Sequence, residues 1–234
     1  MVKTVLFDLD GTLLPMDQDD FINAYFKHLA QKLLPYGYEP KKLMGSIWKG
    51  TEMMVKNDGS CTNEEAFWRT FAQYYGEQAR ADEPIFDAFY RNEFEKVIEV
   101  CGYQPKAAEV IHQLKEKGYR VVLATNPIFP RVATFARIRW AGLKPEDFEW
   151  VTTYENSCYC KPNPAYYIEV TEKLGCSPAE CLMVGNDVTE DMVAETVGMQ
   201  VFLLTDCLIN KEEKALSLYP HGGFEELADF ITRM

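Results

Sequence analysis

No stretch of this chain approaches the roughly 20 consecutive apolar residues that a membrane-spanning helix requires. That excludes a helical membrane anchor. The N-terminus carries one Lys and a short apolar run closed by Asp8, without the length or small-residue cleavage site of a secretory signal. Zinc-type CxxC pairs are missing. The seven cysteines are scattered, and "CYC" at 158–160 is only a CxC, so reduced thiols of an intracellular protein are the expected reading. Positive charge is scarce: 24 Lys and Arg stand against 36 Asp and Glu, for a net charge of −12. Such a chain repels phosphodiester backbones, so no nucleic acid is expected as a partner. There is no low-complexity segment and no internal repeat. What is present is ordinary globular composition, 47% hydrophobic and 26% charged. The 234 residues suffice for one large domain or a domain with an inserted lobe. The expectation is a soluble, cytoplasmic protein with no membrane partner.

Periodicity divides the chain. Val5, Leu6, Phe7 and Leu9 make residues 3–9 a buried strand. Residues 16–100 carry helical patterns. In "DDFINAYFKHLAQKLL", Phe21, Tyr25, Leu29 and Leu33 recur on one face, and "NEEAFWRTFAQYYG" has the same character. From residue 101 the pattern alternates. "QPKAAEVIHQLKEKG" is a helix opened by Pro105 and stopped by Gly118. "YRVVLATN" is a strand, "RVATFARIRWAGL" a helix, "EWVTTY" a short strand and "NPAYYIEVTEKLG" a helix. "ECLMVGND" is a strand, "TEDMVAETVG" a helix, "QVFLLT" a last strand and "FEELADFITRM" a closing helix. Strands alternating with amphipathic helices predict an α/β fold with a doubly wound, Rossmann-like parallel sheet. The α-helical segment at 16–100 is then a lobe inserted after the first strand. Residues 1–15 and 101–234 form the core.

Ligands of such sheets bind at the carboxyl ends of the strands. Four predicted ends carry polar groups: Asp8 and Asp10, Thr125 and Asn126, Lys161 in the segment after the third strand, and Asp187 with Asp191. Each has a bland explanation on its own. Thr-Asn after a strand is a common turn or helix cap, and an Asp pair at a helix start serves the helix dipole. At matching ends of one sheet they reinforce one another. Carboxylates converging there repel unless a cation offsets them, which a divalent metal and a Lys would do.

These segments resemble the haloacid dehalogenase-like hydrolase superfamily over nearly the whole chain. "DLDGTL" matches its first motif, "LATN" the second, "KPNP" the third and "GNDVTED" the fourth, in order and spacing. The 16–100 lobe resembles the helical cap that one branch of the family inserts after the first motif. The fourth motif often begins Gly-Asp, whereas here it reads Gly185-Asn186-Asp187, so alignment on Asp187 and Asp191 leaves Asn186 as a spacer.

The resemblance implies a phosphatase of a small phosphorylated metabolite. In it Asp8 is the nucleophile that forms an aspartyl-phosphate, and Asp10 is the general acid and then base. Mg2+ is the implied cofactor, on Asp8, the Asp10 carbonyl and Asp187, with Asp191 as a ligand or close partner. Thr125, Asn126 and Lys161 are the implied phosphoryl-binding groups. The dehalogenase and phosphonate-cleaving branches typically lack an acid at the place of Asp10, which favours phosphoryl chemistry. A sugar phosphomutase keeps both aspartates and stays open, as does a non-catalytic phosphate-binding module. His28, His112 and His221 fall outside the motifs. Among lobe residues Arg69, Lys49, Lys56 and Trp48 are specificity candidates, each competing with an ordinary surface or core role. Monomer and homodimer are both open.

Overall fold

The computed structural model describes residues 1–233. Six strands form one sheet: β1 (Thr4–Phe7), β2 (Arg120–Leu123), β3 (Trp150–Val151), β4 (Cys181–Gly185), β5 (Gln200–Leu204) and β6 (His221–Gly222). Their order is β3-β2-β1-β4-β5-β6 and every pairing is parallel. β1 is central, with Thr4 opposite both Arg120 and Cys181. Its residues are fully buried because both faces are covered. Val5 and Phe7 point into one apolar cluster, while Leu6 points into another.

The first cluster is covered by α6 (Pro105–Glu116), α7 (Arg131–Trp140) and α9 (Phe224–Thr232), the second by α8 (Pro164–Leu174). Local chemistry sets the helix ends. Gln104 caps the amide of Lys106 ahead of Pro105, Asn163 caps Ala165 ahead of Pro164, and Gly175 ends α8 in the left-handed region.

Between β1 and α6 the described chain contains only helical elements and turns. These are α1 (Gln18–Leu33), α2 (Pro40–Val55), α3 (Asn63–Tyr75), α4 (Gln78–Ala81), α5 (Glu83–Arg91) and a 3-10 segment Glu93–Val100, besides a single 3-10 turn at Leu34–Tyr36. Asp17 caps α1, and Thr62 with Glu65 forms a capping box on α3. The two connections to the core run side by side: Met16 bridges Cys101, and the Gly102 amide donates to the Pro15 carbonyl at 2.7 Å. The lobe is fastened to the core again at the start of α3. The Asn63 and Glu64 amides donate to the Ser157 and Tyr154 carbonyls at 2.8 and 2.9 Å. The buried Asn63 side chain donates to the Pro127 and Tyr159 carbonyls and accepts from Asn57. Phe21 and Tyr25 of α1 pack on Phe129 of the core, so lobe and core share one apolar cluster.

Three elements differ from the periodicity. β3 holds two residues rather than the span of "EWVTTY". A sixth strand at His221–Gly222 has no sequence pattern, since it is two residues on the edge of the sheet. Residues 192–197 wind as a 3-10 segment rather than an α-helix, after a turn closed by local bonds between Asp187 and Asp191 and pinned by Lys161. The expected closing helix ends at Thr232, and its residue 234 lies outside the described residues. Among the described residues no helix is long and apolar enough to cross a membrane.

Candidate active site

Asp8 follows the last residue of β1, and its amide donates to Val184 of β4. One carboxylate oxygen accepts from Lys161 Nζ at 2.9 Å and the other from Thr12 Oγ1 at 3.2 Å. Gly11 turns the chain there at φ +82°, a conformation that costs glycine little. Its α-carbon lies against the Asn186 side chain, so any larger residue would collide with it. Asn186 is therefore no spacer. It is buried, accepts the Thr12 hydroxyl at 2.9 Å, and ties the loop after β1 to the loop after β4.

Lys161 lies behind Asp8, fully buried, and also reaches Asp191 at 2.6 Å. Burial works against its charge, but the Asp191 and Asp8 carboxylates outweigh that, and the ammonium is held well above its ordinary value. The Asp191 carboxyl is pushed up to about 6 by burial, against the pull of Lys161. Its second oxygen accepts from the Asp187 amide at 3.0 Å. Gly185 leaves no space between its backbone and the Asp191 carboxylate. Asp187 Oδ1 caps the amides of Thr189 and Glu190.

Thr125 and Asn126 follow β2. Thr125 is buried, and its carbonyl accepts from Thr152 and Tyr166. Asn126 donates to Glu190 at 3.0 Å, and its own side-chain oxygen is buried without a partner. Glu190, pushed up to about 8 chiefly by burial, was invisible in the sequence because it reads as one more acid in "DVTED".

Asp10 stands two residues past Asp8 and is half-buried. Its carboxylate is ion-paired with Arg137 of α7. Burial raises the Asp10 carboxyl, and Arg137 partly offsets that. Arg137 is 1% exposed and lies 4.4 Å over the Phe129 ring. Its Nε and the Asp10 Oδ1 are both buried without a partner. The periodicity of "RVATFARIRWAGL" had hidden Arg137 as an ordinary helix residue. Its one signal is that it occupies the buried face, beside Ala133, Ala136 and Ile138.

These groups meet in a cavity of about 1110 Å³ between lobe and core. Asp8, Asp10, Thr125, Asn126, Asp187 and Asp191 line it, as do Arg137 and Glu190, with Lys161 directly behind Asp8. Trp48 lines it too, whereas Lys49 and Lys56 pair with Glu52 and, like Arg69, lie outside its wall. Among the described residues no three His, Cys, Asp or Glu side chains form a ready-made metal cage. The donor chemistry nevertheless suits a hard cation: Asp8 and Asp187 present carboxylates to the cavity, and the Asp10 carbonyl accepts no backbone hydrogen bond among the described residues. Both Asp191 oxygens, like both of Asp8, already accept bonds from the protein, and Asp191 is the more deeply buried of the two.

The family model of haloacid dehalogenase-like hydrolases matches residues 2–194. The chain is 29% identical to the glyceraldehyde 3-phosphate phosphatase of Methanothermobacter thermautotrophicus, over 91% of this chain and 89% of that protein. It is 23% identical to the pyrophosphatase PpaX of Bacillus velezensis, over 98% and 95%. The crystal structure of a HAD phosphatase from Thermococcus onnurineus superposes with a TM-score of 0.59 at 18% identity, covering 98% of both chains. Fold, motif order and family match agree: the chain belongs to the haloacid dehalogenase-like hydrolases.

Proposed function

We propose that the protein is a magnesium-dependent phosphatase acting on a small phosphomonoester through an aspartyl-phosphate. One observation carries this reading: Asp8 sits at the end of the central strand on the wall of a cavity, its carboxylate fixed by Lys161 and Thr12, with a second carboxyl, Asp10, two residues on. The phosphatase names of the relatives support it.

In this reading Asp8 Oδ attacks phosphorus and the ester P–O bond breaks. Asp10 delivers its proton to the leaving oxygen, then takes one from the water that hydrolyses the acyl phosphate. Lys161 holds Asp8 in one orientation and balances part of the phosphoryl charge. The Thr125 hydroxyl and the amides near Asn126 bind phosphoryl oxygens. Asp8, Asp187 and the Asp10 carbonyl would hold Mg2+, which screens the charge between nucleophile and phosphate when bound. Asp191 keeps Lys161 in place. Residues 16–100 act as the cap over a core of 1–15 and 101–234, excluding water around the substrate.

The test is hydrolysis of p-nitrophenyl phosphate by wild type and Asp8→Asn, with Mg2+ and with chelator. Turnover lost with the mutation and with the chelator, and restored by Mg2+, is expected. Activity that survives Asp8→Asn would sink the mechanism.

A further inference from the structure

The cavity is much larger than a phosphoryl group requires. Its roughly 1110 Å³ sits at the top of the ~300–1,000 Å³ usual for small-molecule sites. Beyond Asp10 its wall is aromatic: Phe21 and Phe26 of α1, Trp48 of α2, Phe67 and Trp68 of α3, and Phe129 of the core. Trp48 is 48% exposed and lines the cavity beside Phe26, their ring centroids 5.7 Å apart and their planes tilted by 46°. An indole left in water beside a second aromatic ring is what a missing stacking partner would cover.

The charges on the wall narrow the class. Carboxylates outnumber cations. Of the five cations on the wall, Arg91 is held by Asp87, Arg139 by Glu95 and Arg137 by Asp10, while Arg131 and Lys211 form no ion pair among the described residues. With eleven carboxyl groups against those five cations, a second phosphate or carboxylate on the substrate would still meet a net acidic wall. Glu155 Oε2, buried on the same wall without a partner, asks instead for a hydrogen-bond donor.

We propose, on the phosphatase reading above, that the leaving alcohol carries a flat aromatic body with no second anionic group, stacked on Trp48 beside Phe26. The chemistry is the displacement already described. Asp8 takes the phosphoryl group, the C–O bond of the alcohol stays intact, and the aromatic alcohol departs with the proton from Asp10.

The experiment compares benzyl phosphate with propyl phosphate, both esters of primary alcohols, beside phosphoglycolate as an ester with a second anion. Acetyl phosphate serves as a generic phosphoryl donor, and Asp8→Asn as the blank. Benzyl phosphate is expected to exceed propyl phosphate at least tenfold in kcat/KM, with phosphoglycolate below both. Trp48→Ala and, separately, Phe26→Leu are expected to pull the benzyl-to-propyl ratio towards one. A purely structural role would lower both esters together and leave the ratio unchanged. A ratio near one in wild type, a ratio insensitive to both variants, or a preference for phosphoglycolate overturns the proposal while leaving the phosphatase intact. No turnover of any of the four compounds overturns the phosphatase reading and the proposal with it.

Discussion

The pair of Asp10 and Arg137 makes an asymmetric prediction. The Arg137 side chain is 1% exposed and that of Asp10 is 22% exposed. Asp10→Asn therefore strands a guanidinium in the interior, where breaking a buried pair costs about 3–5 kcal/mol. Arg137→Met strands a carboxyl that burial already raises and that can take up a proton, so its cost falls to about 1–3 kcal/mol, including the lost contact with Phe129. The double variant removes both charges and leaves an apolar side chain beside Phe129. It is expected to be more stable than Asp10→Asn alone. In a chain of this size about 1 kcal/mol moves the melting temperature by about 2–4 °C. Asp10→Asn should thus melt about 6–20 °C lower, with the double variant recovering part of that loss. Thermal and urea unfolding of all four proteins, without metal, close the cycle. Effects that add to within about 0.5 kcal/mol would mean that the two side chains do not interact, and the ion pair would be refuted.

Other consequences can be checked as directly. Lys161→Met leaves Asp8 and Asp191 facing each other without their shared cation. It should cost about 3–5 kcal/mol and abolish turnover, and a stably folded, active variant would contradict the role given to Lys161. Gly185→Ala drives a methyl group into the Asp191 carboxylate. The expected result is a folded protein with at least tenfold lower kcat, and unchanged kinetics would show that the loop gives way freely. Asn63→Ala orphans the Pro127 and Tyr159 carbonyls and one N–H of the Asn57 side chain, for about 1–3 kcal/mol in urea unfolding. A loss under 0.5 kcal/mol would mean that water replaces the side chain at once.

The alternation of strands and helices was legible because a parallel sheet buries whole strands, and runs such as "TVLF" and "CLMVG" leave no second reading. The motif residues were legible because the fold places them at consecutive strand ends. Arg137 was not, since a lone Arg in a helix reads as surface until the helix's orientation is known. Asn186 was missed for a related reason. Its work is to bond across to Thr12, and a spacing pattern records nothing about a partner 174 residues away. The edge strand β6 was too short for any periodicity, and the 3-10 segment at 192–197 follows a turn pinned by the Lys161–Asp191 pair, which only the folded chain makes.

The second attachment at Asn63 and Glu64 limits how large a fraction of the molecules can hold the helical segment away from the core. Swinging the lobe away from the core there must release two backbone bonds and the two made by the Asn63 amide. At about 0.5–1.5 kcal/mol each, these alone hold the open form to a few per cent or less. The Asn63 and Glu64 amides are then built-in reporters of admission: their hydrogen exchange counts the openings, and a bound product should slow it.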